Sequence, residues 1–238
     1  MKSRLDQKVM KLGLVQSRSQ AESYIKLGQV KVNSLIIKKP GHQVSENDKI
    51  EVTAQNQYVS RAALKLASVT EVLKLNFGGK TVLDVGSSTG GFTDYALKHG
   101  AKKVIAVEVG TNQLHPVLQG DPRIELHEKT DIRDFKTSEK INLVVADVSF
   151  ISLREILPAV ARLADKNTQL VMMVKPQFEA GKSSLKHKGV IKNDKMRRDI
   201  LKDFETWAQS QFVIVDKADS AVSGAKGNQE RFYLLRKT

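Results

Sequence analysis

The stretch 81–94, TVLDVGSSTGGFTD, constrains this chain more than any other. Val82 and Leu83 read as a buried strand, Asp84 as an acid at its end, and the residues after it as a turn into a helix. Gly86, Ser87, Ser88, Gly90 and Gly91 put little or no side chain in the way, so a ligand can approach the backbone closely. A strand–glycine turn–helix unit of this kind belongs to open α/β sheets, which bind nucleotides at the carboxyl edge of their strands. One such loop is a weak signal. What surrounds it decides what it holds.

The rest of the chain continues the pattern. Short apolar runs at 103–108, 124–127, 143–147, 170–174, 212–216 and 231–235 predict six further strands. Between them lie helical patterns. Ala62, Leu66, Val69 and Leu73 form one apolar stripe, with Arg61 and Lys65 together on a different face. Leu153, Ile156, Leu157, Val160 and Leu163 form another, and residues 194–209 a third helix. Alternation of this kind predicts an α/β fold, a mainly parallel seven-stranded sheet covered by helices on both faces.

Residues 1–57 read differently and form a separate α+β module, with a boundary at 55–57 and the larger domain spanning 58–238. Leu5, Val9 and Leu12 have helical spacing up to Gly13, a helix-ending residue. Ser17 caps a second helix with Ala21 and Ile25 inside. Short strands follow at Val30 and Val32, at Ile36 and Ile37, and at 50–52, with turns at Asn33-Ser34 and Pro40-Gly41. The module carries ten Lys/Arg against five acids, so it holds +5 of the total +13 and the remainder +8. With a pI of about 9.8, both parts are suited to one polyanion, nucleic acid first. The chain has no cysteine, which excludes disulfides and thiolate metal sites. Its first residues, MKSRLDQKVM, lack the apolar core of a signal peptide, and no apolar run is long enough to span a membrane. These features predict a soluble, cytoplasmic protein.

Three nucleotide readings compete for the loop. A phosphate-binding P-loop closes with Gly-Lys-Ser/Thr, whereas this one closes with Gly91-Phe92-Thr93. A dinucleotide fold prefers G-x-G-x-x-G, and Gly86 with Gly90 gives G-x-x-x-G. S-adenosylmethionine has no phosphates and calls instead for acids at its ammonium and its ribose hydroxyls, plus a polar contact at the adenine. Asp84, Glu108 and Asp131 end three successive strands or the turns after them. Any one of them alone reads as a strand-end cap. All three beside the loop favour S-adenosylmethionine.

The segment 4–44 (SR…A…I..G.V.VN spacing) resembles the S4 RNA-binding domain, and the rest resembles the Rossmann-like methyltransferases of the FtsJ class. The segments YVSRAALKL, LDVGSSTGGFTD, ADVSFISL, VKPQFE and GNQERFYLL make the chain similar, over nearly its whole length, to the TlyA family of haemolysin-like rRNA 2′-O-methyltransferases. The resemblance implies a catalytic set of Lys65, Asp147, Lys175 and Glu230, with Lys175 as general base and Lys65 positioning the ribose hydroxyl. A free lysine is protonated at neutral pH, so the base role needs desolvation or a second cation nearby; Lys65 beside Lys175 is expected to supply it, with Asp147 and Glu230 orienting the amines. The expected cofactor set is Asp84, Gly86, Ser87, Ser88, Gly90, Phe92, Glu108, Asp131 and Asp147. Arg4, Arg18, Lys26, Lys31 and Arg61 are candidates for RNA phosphates, as are Lys186 and Lys188 in the basic segment 181–198. Phe150 and Phe178 fit a stacking role and a core role equally. No ligand cluster argues for a metal. The family implies rRNA or a ribosomal subunit as partner, with a cytidine as acceptor. A binding protein that has kept the fold, or a cytolysin, are the rival readings.

Overall fold

The computed structural model describes residues 2–15, 17–53, 58–180, 190–191, 193–224 and 227–238. The expected boundary at 55–57 and both Lys186 and Lys188 lie outside the described residues.

The N-terminal unit comprises β1 (Ser3–Arg4), α1 (Leu5–Lys11), α2 (Arg18–Lys26), β2 (Val30–Val32), β3 (Leu35–Ile36), β4 (Gln43–Val44) and β5 (Ile50–Val52). The antiparallel order β3-β2-β5 makes one small sheet, and β1 pairs with β4 in a second that the sequence did not suggest. Ser17 caps α2 as expected, its Oγ accepting from the Gln20 N–H at 3.2 Å. The β2–β3 turn places Asn33 and Ser34 at φ 48° and 69°, a left-handed pair that an Asn tolerates. The Asn33 side chain then donates to Asp48 and accepts from the Lys49 N–H, which ties the turn to the start of β5. Leu12 departs from the expected stripe. It lies beyond the last turn of α1 and is exposed.

The larger unit runs α3 (Arg61–Thr70), β6 (Thr81–Val85), α4 (Gly91–Lys98), β7 (Lys103–Val107), β8 (Ile124–His127) and β9 (Leu143–Ala146). It continues with α5 (Leu153–Leu163), β10 (Gln169–Val174), α6 (Pro176–Glu179), α7 (Asp194–Gln209), β11 (Phe212–Asp219) and β12 (Arg231–Lys237). All seven expected strands join one sheet in the order β11-β12-β10-β9-β6-β7-β8. Only β12 is reversed, antiparallel to both β10 and β11. The sheet is covered on both faces, which is why its strands read as continuous apolar runs. Leu83, Val144 and Met172 pack with α5 and α7, while Val82, Val145 and Val171 pack with α3 and α4.

Helix α3 is more buried than its stripe suggested. Leu66 and Val69 face the sheet, but Leu64, on the other side of the helix, joins the core of the N-terminal unit together with Val222. Lys65 is buried as well, and no residue of α3 is fully exposed.

Candidate active site

The loop after β6 turns twice through conformations that favour glycine. Gly86 has φ +77°, and a Cβ there would stand 3.1 Å from the Asp147 carbonyl oxygen, so the loop can lie flat against the end of β9. Gly90, at φ +85°, opens α4, and a Cβ there would strike Leu114 and Leu118. Gly90 therefore shapes the turn from behind and does not line the cleft.

Two adjoining clefts open at this edge. The larger, about 420 Å³, is bordered by Gly86, Ser88, Glu108, Asp131, Asp147 and Phe150, among others. The smaller, about 140 Å³, is bordered by Ala62, Asp84, Ser87, Phe92 and Lys175, and shares Gly86, Ser88, Asp147 and Ser149 with the first. The acids at the three strand ends differ in state. Glu108 accepts from the N–H groups of Ser88 (2.9 Å) and Gly110 (2.8 Å), which fixes its carboxylate across the loop. Asp131 is held by Arg133, whose guanidinium keeps its carboxyl below the ordinary range. Asp84 is buried and accepts from Thr93 Oγ1 at 2.7 Å. Its other oxygen has no hydrogen-bond partner among the described residues. Burial, opposed by Thr93 and reinforced by the charges of Asp147 and Glu108, pushes Asp84 up to about 7.

The four expected catalytic residues gather as two ion pairs. Lys175 Nζ lies 2.6 Å from Asp147 Oδ1 and donates to Ser149 Oγ at 2.7 Å. Lys65 Nζ donates to Glu230 Oε1 at 3.0 Å, with side chains only 10% and 2% exposed. Register explains how elements so far apart in sequence meet: Val174 faces Arg231 across β10 and β12, so Lys175 and Glu230 take the next facing positions. Asp147 and Lys175 line the smaller cleft, whereas Lys65 and Glu230 border neither. Each lysine has its own carboxylate.

The remaining expectations divide. Phe150 is 91% exposed at φ +66°, so its core reading fails; Phe178 stands half-buried beside it, ring centroids 5.2 Å apart. Lys26 is exposed, and Lys31 and Arg61 are partly exposed. Arg18 is not free as expected: both it and Arg4 are bound to buried Asp6. Two contributors were missed. Ser149 follows Asp147 within ADVSF and receives the Lys175 amine. Glu179, in VKPQFE, accepts from Ser152 Oγ (2.5 Å) and the Leu153 N–H (2.7 Å), clamping the loop 147–152 to α6. Its motif position was the only signal. Among the described residues, no group of three or more His, Cys, Asp or Glu could hold a metal, and no helix is long and apolar enough to cross a membrane.

A parallel sheet with one reversed strand inserted near its edge, a glycine loop after its first strand and acids at the next strand ends define a Rossmann-like methyltransferase. Residues 58–237 match the FtsJ-like methyltransferase family, and residues 3–50 match the S4 domain. The chain is 36% identical to the 16S/23S rRNA (cytidine-2′-O)-methyltransferase TlyA of Mycobacterium tuberculosis, over 99% of this chain and 90% of that one. It is 44% identical to the 23S rRNA (cytidine-2′-O)-methyltransferase TlyA of Campylobacter jejuni, over 74% and 70%. A solved structure titled as a putative hemolysin from Streptococcus thermophilus superposes with TM-score 0.73 at 35% identity, covering 100% of this chain and 89% of that one. The chain belongs to the TlyA family, in which an S4 domain precedes an FtsJ-like methyltransferase domain.

Proposed function

We propose that this protein transfers a methyl group from S-adenosylmethionine to the 2′-hydroxyl of a cytidine in ribosomal RNA, working in the cytoplasm on rRNA or ribosomal subunits. The observation that carries this reading is the pair of lysine–carboxylate contacts at the strand edge, one of them lining the cleft that holds Asp84 and adjoins the cleft that holds Glu108.

The cleft residues fit such a donor. The unpartnered Asp84 oxygen and Ser87 hydroxyl are buried polar atoms waiting for a ligand in the smaller cleft. Glu108, fixed by two N–H groups, keeps lone pairs for ribose hydroxyls, and Asp131 provides an acceptor further along the larger cleft. When bound, the donor supplies a sulfonium-activated methyl group. The chain's own residues then orient the acceptor and take its proton. Lys175 is the residue on the cleft wall placed to receive this proton once it has released one of its own to solvent, and Asp147 stabilises the ammonium so formed. Lys65, held by Glu230, is the second lysine of the set that the family implies and supports the site without lining either cleft. The exposed Phe150 offers a face on which the target base can stack.

Labelled S-adenosylmethionine incubated with purified ribosomal subunits tests this. Wild type is expected to label rRNA at a cytidine 2′-oxygen, mapped by resistance of that linkage to alkali. Lys175→Ala is expected to lose about 100-fold or more of the transfer rate while still binding the donor. Transfer by neither protein would return the chain to an RNA-binding role, and erythrocyte lysis without transfer would favour the cytolysin.

A further inference from the structure

We propose that Asp6 is a positioning residue for RNA: its buried carboxylate holds Arg4 and Arg18 as one preset two-guanidinium fork that grips a backbone phosphate. This rests on the RNA-binding reading above and adds to it a residue of the wrong sign for direct contact.

Asp6 lies in the first turn of α1 with its side chain wholly buried, while Arg4 and Arg18 are 42% and 45% exposed. Arg4 approaches in bidentate fashion, Nε to Oδ1 at 3.0 Å and Nη2 to Oδ2 at 2.9 Å. Arg18 arrives from the start of α2 and donates through Nε to Oδ2 at 2.9 Å. The Gln7 N–H fills a further site on Oδ1 at 3.0 Å, so the carboxylate is saturated by four donors. Burial alone would raise the Asp6 pKa, but the hydrogen bonds from Arg4 and Arg18 outweigh it and hold the group down at about 2. It is therefore ionised at any pH at which the protein works.

The geometry leaves both arginines with donors to spare. A guanidinium has five N–H bonds; Arg4 spends two on Asp6 and Arg18 spends one. The Arg4 group lies over Gly41, where a Cβ would come within 3.2 Å of Nη1, so a side chain at 41 would press on the guanidinium. Two arginines anchored to one carboxylate lose little rotamer freedom on meeting a phosphate, and their planar forks match its oxygens. A-form RNA is read largely through such backbone contacts. The other facing acid is Glu22, 3.5 Å from Arg18 Nε but exposed at the rim. It competes with a phosphate for Arg18, whereas Asp6, sealed beneath, cannot.

This contrast sets the test, because removing the same charge at the two positions has opposite expected effects. Equilibrium binding of the full-length protein to purified rRNA is measured across a salt series. Glu22→Gln is expected to bind as tightly as wild type or up to about threefold tighter, because a competing charge is gone. Asp6→Asn is expected to bind about five- to tenfold more weakly, with the salt slope shallower by about one to two ions, although it too removes a negative charge. Asp6→Asn binding that equals or exceeds wild type overturns the proposal. If Asp6→Asn fails to fold, Arg4→Lys and Arg18→Lys decide: they keep the charge and lose the fork, and unchanged binding by both overturns the proposal. Wild type that neither binds rRNA nor methylates it removes the RNA-binding reading itself, a failure visible before any variant is compared.

Discussion

Asp84 has a folded-state pKa of about 7, which makes its protonation a switch within the working range. The native chain retains a proton that the unfolded chain has already lost, so between about pH 4 and pH 7 the ligand-free protein loses stability as pH rises. Above pH 7 the buried charge is present and its cost is constant. A cationic ligand group needs that charge, so donor affinity is expected to rise as pH goes from 5.5 to 7.5. Calorimetric titration with S-adenosylmethionine at both values tests this, and Asp84→Asn should flatten the pH dependence. The same substitution is expected to stabilise the ligand-free protein at pH 8 by about 2 kcal/mol in thermal unfolding, because an unpaired buried charge is removed. Residues like this one show the limit of reading a sequence. Asp84 was legible as a strand-end acid. The state of its carboxyl depends on its burial and on Thr93, Asp147 and Glu108 being where they are. Lys65 is the sharper case: on its own helix it looks like a surface lysine, and only Glu230, 165 residues away, explains its burial.

At the scale of elements, the seven strands were legible because both faces of the sheet are covered, leaving unbroken apolar runs such as LVMMV. The two-residue strands β1 and β4 were not, since two residues carry no periodicity and their pairing is purely tertiary. The junction between α6 and α5 was equally silent. Glu179 is a buried carboxylate whose pKa burial raises, although Ser152 and the Leu153 N–H pull it down. It caps α5 and at the same time fixes the loop that carries Asp147, Ser149 and Phe150. Glu179→Ala is expected to cost about 1–3 kcal/mol in chemical unfolding. It should also lower the transfer rate more than it weakens donor binding, and Glu179→Gln, which keeps an acceptor, should restore most of the stability.

For the whole molecule, the shared core joining the two units matters most. Leu64 of α3 and Val222 both pack with Leu5, Val9, Tyr24 and Ile25, so the N-terminal unit is completed by residues of the larger one. Leu64→Ala is expected to destabilise by about 2–4 kcal/mol. Scanning calorimetry should show one transition in wild type and an earlier, separate melting of the N-terminal unit in the variant. The change of pattern near residue 57 is what suggests two units in the sequence; the core that Leu64 shares with the N-terminal residues had no such signal, because Leu64 carries no sign of which neighbour it meets. The reversed strand β12 also sets an order of events during synthesis. β11 is made before it, yet β11 joins the sheet only through β12. An unfinished chain therefore carries β11 as a waiting edge and has no Glu230 to brace Lys65. On the function proposed above, an enzyme for ribosomal RNA is itself made on a ribosome, with its lysine–carboxylate set incomplete until the strand that closes its sheet has emerged.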